Sequence, residues 1–263
     1  MIRPLNPDRD LADRSASVPV STPVEPPLTY DRLQRSVAAL GLDIYGGFHP
    51  TAGQLRGSIA AAAPDIATGS ETDSGPQGTL ILLGTAPSFW PGFVTSPEYR
   101  DGRADPVDRW SSRVIGDLAQ SWGAIPAYPF TGPPYAPFVD WALASGRSFT
   151  SPSQMLVHDR YGMMISFRGA LYFAHHFDLP PAPLALAPCL GCEDRPCLNR
   201  CPVTALKEGG PYDLAACHRH LESTEGTPCL STGCLARRAC PLSTGADRIP
   251  AQSAHHMRYF HIK

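Results

Sequence analysis

The sequence predicts an α+β protein: a domain of mixed strands and helices followed by a small cysteine-rich module. Three observations predict it. Apolar residues at helical spacing alternate with strand-like apolar runs up to about residue 180. The stretch Pro180-Pro181-Ala182-Pro183 then makes a stiff, extended connector. Beyond it lie all eight cysteines, between Cys189 and Cys240. The chain divides on this basis into a tail at 1–27, an α+β domain at 28–180, a connector at 181–188, a cysteine module at 189–245 and a C-terminal tail at 246–263.

Residues 1–27 are rich in Pro, Asp, Arg and Ser, lack periodicity and read as a loose tail. Over 29–41, Leu33, Val37 and Leu40 recur at helical spacing, with Gly41 placed to end the helix. A short strand is expected at Leu42–Tyr45, a surface loop at 62–78, and a buried strand at Thr79–Leu83. The clearest helix covers 106–122. Its apolar stripe is Val107, Trp110, Val114, Leu118 and Trp122, with Asp105 at the N-cap, Pro106 in the first turn and Gly123 at the close. A strand near Ile125–Tyr128, a turn at Pro133–Pro137 and a helix at Phe138–Ala144 ending at Gly146 follow. Gly162–His176 has strand character, broken at Arg168-Gly169.

Composition narrows the function. The chain has 263 residues, 43% hydrophobic and 17% charged, enough for one large domain or two modest ones. A formal net charge of −2 argues against a nucleic-acid partner bound through many phosphates. The first residues contain no apolar stretch of signal-peptide length, and Leu80-Ile81-Leu82-Leu83 is far too short to span a bilayer. A soluble protein in a reducing, cytoplasmic setting is expected, with no membrane partner. There, clustered thiols point to metal rather than to disulfides.

The cysteines form two related halves, each closing on Cys-Pro. The first is Cys189-Leu-Gly-Cys192, Cys197 and Cys201-Pro202; the second is Cys217, Cys229, Cys234 and Cys240-Pro241. A cubane cluster needs four thiolates converging from different directions, and one short loop cannot encircle it. In two-cluster ferredoxins the fourth cysteine of a run ligates the other cluster. Applied here, Cys189, Cys192, Cys197 and Cys240 hold one [4Fe–4S] cluster, and Cys201, Cys217, Cys229 and Cys234 hold the second. Val203-Thr204-Ala205-Leu206 is expected to start a helix packed over a cluster. Arg195, Arg200, Arg237 and Arg238 stand among the ligands, where they offset the cluster charge and raise its potential. A zinc-binding structural or interaction module is the alternative, because Zn²⁺ also accepts four cysteines. Zinc modules, however, usually pair two Cys-x2-4-Cys knuckles, and the second half has no Cys-x2-Cys pair.

With these residues, the C-terminal part resembles the two-[4Fe–4S] module that ends epoxyqueuosine reductase and the related reductive dehalogenases. The segments that carry the resemblance are Asp213-Leu-Ala-Ala-Cys217 and Cys229 through Cys240-Pro241. Upstream, Asp105 through Gly123, then Leu156-Val157-His158-Asp159-Arg160-Tyr161-Gly162 and the stretch to Asp178-Leu179-Pro180, are laid out like the end of that family's nitroreductase-like domain. The resemblance implies a nitroreductase-like sandwich at 28–180, two [4Fe–4S] clusters, a cobalamin or other corrinoid acceptor, and a redox protein as electron donor. It places a catalytic acid near Asp140. The chain departs from the family in lacking its Gly-x-x-Gly-Lys segment within Ser148–Leu156, and Val139-Asp140-Trp141 stands where the family has Glu-Arg.

Other residues have competing roles. His175 shares a strand face with Leu171, Phe173 and Phe177, which suggests a packed core or interface histidine. His218 and His220 flank Cys217 and are candidates to hydrogen-bond a cluster sulfur. Trp90, Tyr128, Phe130 and Tyr135 are candidates to line a flat cofactor pocket, or simply to pack. His255-His256-Met257-Arg258-Tyr259 reads as a tail docking back on the first domain. The expected function is an oxidoreductase that passes electrons through two clusters to an acceptor at the first domain; a non-enzymatic ferredoxin-like carrier is the alternative.

Overall fold

The computed structural model describes residues 28–55, 59, 78–183 and 186–261. The expected tail at 1–27 and nearly all of the loop at 62–78 lie outside them. The architecture is α+β, mixing helices with sheet. Helix α1 (Tyr30–Ala39) starts where the Thr29 side chain accepts the Arg32 N–H, and it buries Leu33 and Val37. Leu40, expected on the same stripe, is 38% exposed because the helix has already ended there. Strands β1 (Leu42–Phe48) and β2 (Thr79–Thr85) follow. Next come the short helices α2 (Phe89–Phe93) and α3 (Pro97–Arg100) and the long α4 (Pro106–Trp122). Asp105 sits at the N-cap of α4 but makes no capping bond, since its backbone is left-handed at φ 51°.

Strand β3 (Ile125–Ala127) and helix α5 (Phe138–Ala144) lead into a hairpin that periodicity did not reveal, β4 (Ser148–Thr150) with β5 (Leu156–His158). The strand expected over Gly162–His176 is shorter, β6 (Phe167–Phe173). Gly162 instead closes a tight turn by bridging back to His158. The break anticipated at Arg168-Gly169 is a bulge: Leu83 pairs with Gly169 and Gly84 with Phe167, so Arg168 has no opposite residue.

The four-stranded sheet has the order β1-β2-β6-β3, antiparallel throughout. Its strands alternate between two apolar layers. Ile81, Leu83, Leu171 and Phe173 face one layer, with Leu33 and Val37 of α1 and Trp110, Val114 and Ile115 of α4. Leu80, Leu82, Ala170 and Tyr172 face the other, with Trp141 and Ala142 of α5 and Ala246 from the cysteine module. Each fully buried Leu or Phe here contributes roughly 1.5–3 kcal/mol of transfer free energy.

The cysteine module is built from short helices: α6 (Pro196–Asn199), α7 (Leu214–Glu222), α8 (Thr227–Thr232) and α9 (Leu235–Ala239). It is set into the first domain rather than tethered to it. A Cβ on Gly162 would stand 2.3 Å from the Ser243 nitrogen, and one on Gly245 would stand 2.0 Å from the Arg160 carbonyl oxygen. Only bare backbone fits at both points. Ser243 Oγ also accepts the Met163 N–H at 3.0 Å and donates to the Arg237 carbonyl at 2.7 Å. The C-terminal residues expected as a tail form a further helix, α10 (Pro250–Phe260). Its His255 packs on Trp90 and Phe93 of α2, with ring centroids 5.3 and 5.9 Å apart. Among the described residues, no helix is long and apolar enough to cross a membrane.

Candidate metal centres

All eight cysteines are free thiols. The fold gathers them into two sets of four, each around its own cavity. Cys189, Cys192, Cys197 and Cys240 line one, with Arg195, Val157 and Met163. Cys201, Cys217, Cys229 and Cys234 line the other, with Tyr212, His220, Arg237 and His256. Each half of the module therefore contributes three cysteines to one set and one to the other. The crossing is produced by the two Cys-Pro corners. After Cys201-Pro202 the Thr204 N–H returns to the Cys201 carbonyl at 3.2 Å, and after Cys240-Pro241 the Ser243 N–H returns to Cys240 at 2.8 Å. Proline fixes φ at each corner and turns the chain away from its own set.

The first corner does not open a helix, contrary to expectation. Val203–Leu206 is a turn with Thr204 left-handed at φ 49°. The Ala205 N–H that would start a helix is directed instead at Cys201 Sγ, 3.3 Å away. In the same set the Tyr212 hydroxyl donates to Cys217 Sγ at 3.0 Å. Hydrogen bonds to sulfur of this kind stabilise thiolate charge around a metal core.

Ionisation agrees with the grouping. Burial pushes the Cys189 thiol up to about 11, reinforced by Cys240, Cys197 and Cys192. Burial likewise raises Cys197, Cys217 and Cys229, with further contributions from members of the same set. In each set one thiol is buried and three are half-buried; four thiols that share such a site cannot all ionise alone, so a cationic core that binds them must displace protons. Among the described residues, no three His, Cys, Asp or Glu side chains are grouped as a single ion would require. Four free thiols in each set, with an N–H and an O–H directed at two of the sulfurs, suit a thiolate-ligated metal group.

The arginines around these sets divide their roles. Arg195 lines the first cavity and pairs with Glu208. Arg237 is spent on backbone, donating to the Met163 carbonyl at 2.7 Å and to Ile165 at 3.1 Å, and so ties the second set to the first domain. Arg238 donates to the Thr232 hydroxyl. His220 lines the second cavity with its Nε2 buried and unpartnered, in place for a donor toward sulfur. His218 turns away, its Nδ1 2.9 Å from His261 Nδ1.

The remaining candidates do not converge. Asp140 is exposed in the first turn of α5, where a carboxylate favours the helix dipole. Trp90 is buried against Phe93, Tyr99 and His255, Tyr128 stacks on Phe130, and Tyr135 stands 63% exposed. His175, expected as a packed core or interface histidine, is outside the core because β6 ends at Phe173, two residues earlier; its exposed ring rests on Phe173 and Phe177.

Three features were not anticipated. Asp159 accepts two charge-assisted bonds from Arg147, at 2.8 and 2.9 Å, and lies 3.0 Å from His158. Burial alone would raise its carboxyl, but these partners outweigh it and bring it down to about 2. Tyr161 donates to Asp43 across the sheet edge. Arg248, just ahead of α10, comes near His256 of that helix.

Compared with known proteins, the chain matches no family model and no curated protein.

Proposed function

We propose that this chain is an iron–sulfur redox protein. More particularly, it passes electrons through two [4Fe–4S] clusters to an acceptor held against its N-terminal domain. The observation that carries the proposal is the crossed grouping of the eight free thiols into two sets of four. Disulfide use would pair them, and a structural zinc knuckle has no need to exchange one ligand between halves.

The clusters, when bound, supply one-electron chemistry. Cys189, Cys192, Cys197 and Cys240 would hold one at the surface, where Leu190, between two ligands, is 76% exposed and Leu186 is 72% exposed. Exposed apolar side chains beside a redox centre suit a transient protein donor. Cys201, Cys217, Cys229 and Cys234 would hold the other, in a cavity that Arg237 and His256 also line. Tyr212 and Ala205 would hold negative charge on sulfur at this second site. A nitroreductase-like sandwich and a corrinoid acceptor remain part of the proposal through the family resemblance.

Anaerobic purification with iron and sulfide analysis tests the core of it. About eight irons and eight sulfides per chain, with low-temperature EPR of reduced [4Fe–4S] centres, are expected. A colourless protein replete in zinc overturns it. Titration with cobalamins and flavins then decides the acceptor: binding supports a reductase, and no binding by any of them leaves a carrier.

A further inference from the structure

Arg248 is a guanidinium without a counterpart. It follows the last cysteine segment at the foot of α10, its Nη2 is shut off from solvent, and it has no hydrogen-bond partner. Its charge is also in poor company. Arg237 and Arg168 stand near enough to repel it, and burial with that repulsion brings it down to about 10. Arg168 has Asp108 at 3.1 Å, and Arg237 has two carbonyls. Arg248 has neither. Arg248 as a residue is half-buried, so it is the enclosed Nη2, a donor without an acceptor, that a bound group would satisfy.

Arg248 lines a cavity of about 310 Å³, together with Met164, Thr232, Arg238, Ser243 and Thr244. The three hydroxyls there already donate elsewhere. Thr232 donates to the Pro228 carbonyl at 2.7 Å, Ser243 to Arg237 at 2.7 Å, and Thr244 to Pro241 at 3.0 Å. Among the side chains, the donors left for an occupant are therefore guanidinium N–H groups. Arg238 is held toward this space by Thr232. One carboxylate, that of the exposed Asp247, is also in the lining. A pair of guanidiniums with donors to spare selects a ligand that only accepts: a carboxylate, phosphate or related oxyanion.

We infer that this cavity is a binding site for a small oxyanion-bearing molecule, held by Arg248 at its base and Arg238 at its rim. The site deepens the redox proposal by giving the chemical class of an acceptor or effector beside the second set of cysteines. It does not depend on iron, since none of its donors is a thiol, and iron analysis therefore fails or succeeds independently of it.

Calorimetric titration of the full-length protein, purified anaerobically, with inorganic phosphate, sulfate and a series of small carboxylates tests the site. Saturable binding of at least one anion is expected, and the arm that binds tightest tells phosphate chemistry from carboxylate chemistry. Arg248→Met should weaken that binding about 10-fold to 100-fold, the range for losing a charged hydrogen-bond donor, while the thermal midpoint in anion-free buffer holds or rises. Arg238→Gln, at the rim, should weaken it less and leave the fold intact. Absence of saturable binding to every anion, or equal affinity in wild type and Arg248→Met, overturns the inference. A loss of stability in Arg248→Met with affinity retained marks the arginine as structural and overturns it equally.

Discussion

The crossed arrangement of cysteines makes a prediction that no sequence-local assignment shares. Cys240 lies in the second half of the module yet lines the cavity of Cys189, Cys192 and Cys197. Cys201 lies in the first half yet lines the cavity of Cys217, Cys229 and Cys234. Each substitution to alanine removes one thiolate in four from a single set and leaves the other set complete. Iron content should therefore fall from about eight to about four per chain in either variant, not by an eighth. The surviving centre should differ between them: Cys240→Ala should give the EPR spectrum of Cys189→Ala, and Cys201→Ala that of Cys229→Ala. The assay is anaerobic reconstitution followed by iron and sulfide analysis and low-temperature EPR, with far-UV circular dichroism as the check on folding. If Cys240→Ala instead matches Cys229→Ala, each half holds its own cluster, and the geometric reasoning is wrong.

Three further outcomes follow from individual contacts. Tyr212→Phe removes the hydroxyl 3.0 Å from Cys217 Sγ, which should lower the potential of the second centre by roughly 20–60 mV, the equivalent of one hydrogen bond; an unchanged potential in a redox titration counts against that bond. The Asp159 carboxyl is depressed to about 2, so its contribution of about 2 kcal/mol is complete above pH about 4 and is lost as pH falls toward 2. Urea midpoints measured across that window should drop in wild type and stay flatter in Asp159→Asn. Gly245→Ala places a Cβ 2.0 Å from the Arg160 carbonyl oxygen, and the overpacking should cost about 1–3 kcal/mol; an unaltered denaturation midpoint would show that the module is not seated as closely as described.

Much of the local structure was legible. The stripe Val107, Trp110, Val114, Leu118 and Trp122 defines a helix because five large apolar groups at that spacing can leave water only on one face, and α4 occupies that span. Phe138–Ala144 was readable as a short helix ending at Gly146, and the buried strand beginning at Thr79 as an apolar run between Gly78 and Gly84. The hairpin of β4 and β5 was not. Its strands have three residues each, too few for an alternation to register, and they form because Phe149 and Val157 find Cys197, Cys240 and Met163 to pack against. Asp105 shows a related limit: the residue type suits an N-cap, but the left-handed backbone takes its carboxylate away from the free amides.

Sequence alone therefore determined what depends on neighbours along the chain: helix and strand periods, the Cys-Pro corners, and the presence of two cysteine halves. The order of strands in the sheet, the embedding of the module against its second face, and the meeting of Arg248 with His256 and Arg168 were decided by tertiary structure. The reason is one of range. A periodic pattern is written into a few consecutive residues, whereas a buried charge or an interlocked glycine acquires its meaning from atoms that lie tens of residues away and come close only when the chain has folded.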